Sequence, residues 1–153
     1  MKREKFLWPI THAHHFGLMA AKTIQEKLKE KPGKKQLEDL RRMAKRFFRS
    51  DLAAHIGVEE RILGQLAFHT GPRDPLLGRA MHEHRELDSL LKKRNARSLE
   101  LFAEKLIRHI YFEEDELFRE IEEQFTTAEK EWVETDIQFN LHDWSRIPAF
   151  VNQ

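Results

Sequence analysis

The chain predicts an all-α protein, an up-down-up-down antiparallel four-helix bundle with a short extra C-terminal helix. Three observations carry this expectation. Gly and Pro number only six and five, and they fall in clusters that divide the chain. Between the clusters, apolar residues recur at helical spacing over long stretches. No stretch alternates polar and apolar residues over more than a few positions, so strand signals are nearly absent. Four long amphipathic segments joined by short loops then predict antiparallel neighbours.

The first segment runs from about Ile10 to Glu30 and stops at Pro32-Gly33, which removes a helix donor and permits a left-handed turn. The second runs from about Lys34 to His69, ahead of Gly71-Pro72. Asp74-Pro75 reads as an N-cap followed by proline at the first helical position, opening a third segment to about Arg94. Ser98 can cap a fourth, reaching about Gln124. Thr126 with Glu129 forms a capping-box pattern for a shorter fifth helix over about 127–139, and the tail over 140–153 reads as irregular. The fifth helix, with Trp132 and Val133, can cover one side of the bundle or form a dimer contact.

Composition sets the outer limits of function. At 153 residues, 40% apolar and 35% charged, one globular domain over 1–153 is expected. With 27 Lys+Arg against 26 Asp+Glu, the +1 net charge argues against a broad phosphate-binding surface, so no nucleic-acid partner is expected. No apolar run approaches the roughly 20 residues of a membrane span, and Met1 to Ile10 lacks a signal-peptide core, so neither a membrane nor a secretory destination is expected. The absence of cysteine removes disulfides, thiolate zinc sites, iron–sulfur clusters and cysteine nucleophiles together, and fits a cytoplasmic protein. Nine histidines remain to be explained.

A helix turns about 100° per residue, so positions i, i+4, i+7 and i+11 share a face. Around His55 that face holds Phe48, Leu52, Ile62 and Leu66, with Glu59 the second polar interruption. Around His109 it holds Phe102, Leu106, Phe112 and Leu117, with Glu113 and Glu116 embedded. The two helices carry the same pattern, His-x-x-x-Glu-Glu-x-x-Leu, starting at His55 and again at His109. His14 lies along Leu18, Ala21 and Leu28, whereas His15 is about 100° away. His84 is surrounded by Leu77, Ala80, Met81, Leu87 and Leu91. Each long helix therefore offers one core-facing histidine. His12, His69, His82 and His142 read as surface or supporting residues, and His15 stays open.

Burying four imidazoles and two carboxylates costs several kcal/mol for each uncompensated charge. A metal ion compensates all of them at once, because neutral imidazole nitrogen and carboxylate oxygen are natural ligands and residues i and i+4 of one helix can hold the same ion. Any one core histidine is more often a hydrogen-bonded core residue than a ligand. Four in register, two with a carboxylate one turn on, are poorly explained by coincidence. Asp51, one turn before His55, can accept a hydrogen bond from a ligating imidazole, or be a solvated charge.

These residues resemble the hemerythrin family, specifically the bacterial-type hemerythrin-like (HHE) cation-binding domain. The resemblance covers about Ile10 to Ile121 and rests on His14-His15, His55-x-x-x-Glu59, Glu83-His84 and His109-x-x-x-Glu113-Glu114-x-x-Leu117-Phe118. It implies a non-haem di-iron centre in a four-helix bundle, with His14, His55, His84 and His109 as terminal ligands and Glu59 and Glu113 bridging two irons. It departs from the oxygen carriers on the third helix. A second histidine there would stand at 80 or 88, where this chain has Ala80 and Asp88. Asp88, about 40° from His84, or Glu116 can supply a further ligand, or water can. An incomplete protein shell favours reactivity or adjustable binding over reversible oxygen storage.

The leading functional expectation is a soluble metal-binding protein, two irons per chain, that binds or senses oxygen or a related small oxidant such as nitric oxide or peroxide. The runner-up is a di-iron oxidase or peroxidase, lowered because ferritin-like sites use Glu-x-x-His and this chain reads His-x-x-x-Glu. Zinc or another divalent metal in the same ligands, and a metal-free helical interaction module, are the remaining alternatives. A catalytic role and a protein partner or homodimer are left open.

Overall fold

The computed structural model describes residues 2–141. The rest of the expected irregular tail, His142 included, lies outside the described residues. Among those described, the fold is all-helical: α1 (Trp8–Lys29), α2 (Lys34–Phe47), α3 (Ala53–Thr70), α4 (Pro75–Lys92), α5 (Ala96–Phe112), α6 (Phe118–Gln124) and α7 (Thr127–Asn140). None of these helices is long and apolar enough to cross a membrane.

Local chemistry explains most boundaries and moves a few. α1 begins at Trp8, ahead of the expected Ile10, and follows a 3-10 turn at Lys5–Leu7. Pro9 fits there because the first turn needs no donor. At the far end of α1 the left-handed residue is Lys31, with φ 52°, and Gly33 is extended with φ −66°. The N–H of Lys31 already closes the helix on the Leu28 carbonyl at 3.1 Å, so the turn falls before Pro32-Gly33. Gly71, with φ 91°, ends α3 in a conformation that disfavours a Cβ. Asp74 Oδ1 accepts the Leu76 N–H at 3.0 Å, as the Asp-Pro signal predicts. Asn95 caps α5 rather than Ser98. Its Oδ1 accepts both the Ser98 N–H at 2.7 Å and the Ser98 hydroxyl at 2.9 Å, so Ser98 is the residue being capped. Thr126 and Glu129 form the capping box that opens α7.

Two helices expected to be continuous are interrupted. A π turn at Phe48–Leu52 joins α2 to α3, and another at Glu113–Leu117 joins α5 to α6. A π turn holds more residues than an α turn, so it rotates everything beyond it about the helix axis. His55 and Glu59 both lie in α3 beyond the first insertion, and their i, i+4 relation survives. His109 and Glu113 meet at the start of the second.

The apolar interior is two clusters. The first contains Ala20, Ile24, Leu52, Leu87, Phe102, Leu106 and Ile110. The second contains Ile10, Val58, Ile62, Leu77, Ala80, Phe112, Leu117 and Phe118, and is completed by Val133 and Ile137 of α7. Along the chain, α1 passes from the second cluster into the first, α2 with α3 from the first into the second, α4 back again, and α5 with α6 once more into the second. On every crossing the boundary is marked by a buried histidine: His14, His55, His84 and His109. α1 packs along α5 and α5 along α4, while α3 meets α4, α6 and α7. α7 covers α3 through a two-pronged Arg61–Asp136 pair at 2.8 and 2.9 Å.

Phe102 is among the largest fully buried side chains, in the first cluster. Phe102→Ala is expected to cost about 3–5 kcal/mol, read as a lowered denaturant midpoint. A loss below about 1 kcal/mol would show that this cluster is loosely packed.

Candidate metal centre

Six polar side chains meet between the two apolar clusters: His14 from α1, His55 and Glu59 from α3, His84 from α4, His109 from α5, and Glu113 at the start of the second π turn. Each is buried, none more than 3% exposed. They form two groups that could each hold an ion, His14–His55–Glu59–Glu113 and His84–His109–Glu59–Glu113, with the donor atoms of each group within 4.8 Å of one another.

The two carboxylates belong to both groups through different oxygens. Glu59 turns Oε2 toward His55 Nε2 at 3.3 Å and His14 Nε2 at 3.5 Å, and Oε1 toward His84 Nε2 at 3.7 Å. Glu113 turns Oε1 toward His14 Nε2 at 3.2 Å, and Oε2 toward His109 Nε2 at 3.2 Å and His84 Nε2 at 3.6 Å. The imidazoles face each other in pairs, His14 Nε2 to His55 Nε2 at 3.0 Å and His84 Nε2 to His109 Nε2 at 3.1 Å. Ligands about 2.1 Å from a metal stand about 3.0 Å apart at a right angle and about 3.4 Å apart at the tetrahedral angle. The five closest spacings, 3.0–3.3 Å, fall in that region, and the three at 3.5–3.7 Å correspond to wider angles.

For three of the rings the outer nitrogen decides which tautomer is adopted. Glu114 Oε2 accepts from His14 Nδ1 at 2.6 Å, Glu60 Oε2 from His84 Nδ1 at 2.8 Å, and Glu83 Oε1 from His109 Nδ1 at 2.8 Å. With their protons held at Nδ1, neutral His84 and His109 point two bare Nε2 lone pairs at each other. Glu59 Oε2 and both oxygens of Glu113 have no hydrogen-bond partner among the described residues although they are buried. Facing lone pairs and orphaned carboxylate oxygens repel unless a cation lies among them. The residues present therefore fit a metal pair of imidazole–carboxylate type.

Without metal, protons take that place. Burial opposes charge on His109, but the charge of Glu113 and contact with Glu83 push its pKa up to about 10. His14 is also raised well above the usual histidine value, its burial outweighed by Glu113, Glu114 and Glu59, and His84 is raised by Glu113 and Glu59. Glu113, which burial alone would push up, is held well below the usual carboxylate range by His109, His14 and His84.

The further candidates lie elsewhere. His15 is exposed and meets Phe16 edge-on. Asp88 is half-exposed and pairs with Lys92 at 3.2 Å, because its side chain emerges a turn nearer the end of α4 than His84. Glu116 is 54% exposed and pairs with Arg79 at 3.3 Å, the π turn having carried it off the His109 face. Asp51 is partly buried in the first π turn, ahead of His55. His12 and His82 are exposed, and His69 pairs with Glu129.

Sequence reasoning missed the three outer carboxylates, Glu60, Glu83 and Glu114. A signal existed for two of them: each copy of the repeated pattern has two consecutive glutamates, Glu59-Glu60 and Glu113-Glu114. The first of each pair faces its own helix's histidine, and the second, about 100° on, reaches a histidine of a neighbouring helix.

No protein-family model, curated protein or solved structure matches the chain.

Proposed function

We propose that this chain is a metal-binding protein in which the four long helical segments form an up-down-up-down antiparallel bundle around a non-haem di-iron centre. We infer that it binds or senses oxygen or a related small oxidant such as nitric oxide or peroxide. The alternating passage of the chain between two apolar clusters supports the bundle. One observation carries the metal pair: Glu59 and Glu113 each present one oxygen to one imidazole pair and the other oxygen toward the second. This is the relation that the resemblance to hemerythrin-like domains implies for bridging carboxylates.

An iron pair held there would supply redox-active metal that a diatomic oxidant can reach and bind. The chain's own residues do the rest. Glu60, Glu83 and Glu114 keep protons on Nδ1 of His84, His109 and His14, which leaves Nε2 free as a donor and fixes ring orientation. Phe112 and Phe118, both buried, pack on His109 and His14 and keep bulk water from the layer. Each position has four protein donors, fewer than an octahedral ion takes, which leaves room for an exogenous ligand. The same number favours a second reading, since four nitrogen and oxygen donors also suit zinc.

Metal analysis and an optical spectrum of the aerobically purified protein separate these readings. Two irons per chain with near-ultraviolet charge-transfer absorption are expected, and His55→Ala or His109→Ala should lose most of the metal. Stoichiometric zinc with a featureless spectrum would sink the iron reading. Full metal content in both variants would sink the site.

A further inference from the structure

The surroundings of His109 and His14 repeat one arrangement. At His109, Glu83 accepts the Nδ1–H, and Arg79 Nε binds the same carboxylate at 2.9 Å. The Arg79 guanidinium lies 4.0 Å from the centroid of Phe112, which packs on His109. At His14, Glu114 accepts the Nδ1–H, and Arg3 Nε stands 3.5 Å from its other oxygen. The Arg3 guanidinium lies 5.4 Å from the centroid of Phe118, whose ring stacks on His14 at 5.6 Å and 11°. Histidine, carboxylate, arginine and phenylalanine recur in the same relation.

The difference is where the arginine comes from. Arg79 is part of α4. Arg3 sits in an arm that precedes the 3-10 turn and belongs to no helix. That arm is anchored by polar contacts from distant sequence. Arg3 Nη2 donates to the Glu114 carbonyl, Arg3 Nη1 to Glu122 Oε1 at 2.6 Å, and the Glu4 N–H to Glu122 Oε2 at 2.6 Å. Lys130 of α7 reaches Glu4 at 2.8 Å. Arg3 therefore donates to the Glu114 carbonyl and stands within ion-pair distance of its carboxylate. If the arm lifts, the Glu114 carboxylate, already 18% exposed, keeps only the Thr11 hydroxyl of α1, at 2.9 and 3.0 Å, to hold it beside His14, and its hold on the Nδ1 proton loosens.

We propose that docking of the N-terminal arm through Arg3 completes the metal position of His14 and His55, so that arm closure and metal binding there are coupled, while the His84–His109 position is assembled by helices alone. Arg3 is then a positioning residue, acting on the metal through Glu114 and His14. The coupling rests on the reading that the layer holds two ions, and it is reciprocal: metal at the first position tightens the arm by the factor that the arm tightens metal.

The test is titration of metal-free protein with zinc(II) against a chromophoric chelator, together with amide exchange of Glu4 with and without zinc. Wild type should take up two equivalents. Arg3→Ala should weaken one of them about 10–100-fold and leave the other unchanged. Arg3→Lys should restore only part of the loss, because an ammonium cannot reproduce the planar fork. Arg79→Ala should weaken the other equivalent instead. Zinc should slow Glu4 exchange in wild type and much less in Arg3→Ala. Unchanged affinities in Arg3→Ala, equal weakening of both equivalents, or Glu4 exchange indifferent to zinc would each overturn the coupling with the metal centre intact. Wild type that takes up no zinc would remove the metal reading itself, and the coupling with it.

Discussion

Glu113→Gln is expected to empty both metal positions together, taking the metal-loaded protein from two equivalents per chain to a trace after dialysis against a weak chelator. Glu113 is fully buried, and its two oxygens face different imidazole pairs. An amide keeps the shape but loses the charge, and it presents one oxygen where two are needed. Affinity at both positions should therefore fall together, by more than the 10–100-fold that loss of a supporting contact such as Glu114 brings at one position. Atomic absorption on Glu113→Gln and Glu114→Gln side by side reads the contrast. Two retained equivalents in Glu113→Gln would show that it does not bridge.

The second large effect is a divergence between the metal-free and metal-loaded proteins as pH rises. His109 has its pKa lifted to about 10 against an ordinary 6.5, mainly by Glu113 against the opposing effect of burial. Such a histidine holds its proton more tightly when folded than when unfolded. Its contribution is complete below about pH 6.5 and disappears as pH climbs through about 10. At about 1.4 kcal/mol per pKa unit this amounts to a few kcal/mol for metal-free protein, and raised His14 and His84 act in the same direction. In metal-loaded protein the imidazoles are already deprotonated, so alkali removes nothing, and acid competes with metal instead. Thermal unfolding at pH 6.5, 8 and 9.5 should show the metal-free midpoint falling while the loaded midpoint holds. Parallel curves would mean that the proton and the metal do not share one site.

How far the sequence anticipates this layer depends on distance along the chain. His14, His55, His84, His109, Glu59 and Glu113 are legible because a helix imposes a face on every residue, and the structure does bring these six together. The partners of Glu60, Glu83 and Glu114 are not legible in this way, because each acts across a helix–helix gap and its target is set by packing. Glu116 fails for a different reason. The face rule assumes an unbroken α-helix, and the π turn at Glu113–Leu117 breaks it within a few residues of the site. Ser98 and Asn95 are both good capping residues three positions apart, and only the loop geometry selects Asn95. Arg3 is invisible to any periodicity argument, since it lies outside every helix.

The passage of the chain through two apolar clusters has a consequence for cooperativity. Each cluster draws on residues from nearly the whole length of the described chain, from Ala13 to Ile110 in one and from Phe6 to Ile137 in the other. A single cut therefore cannot separate them into fragments that fold alone. Yet they touch across a layer that, without metal, is held by protonated imidazoles and carboxylates and not by apolar packing. That layer is a seam along which the molecule can lose concerted unfolding without losing either half first. Two ions held by donors from four helices would stitch the seam, so metal occupancy would set whether the protein melts as one body or as two.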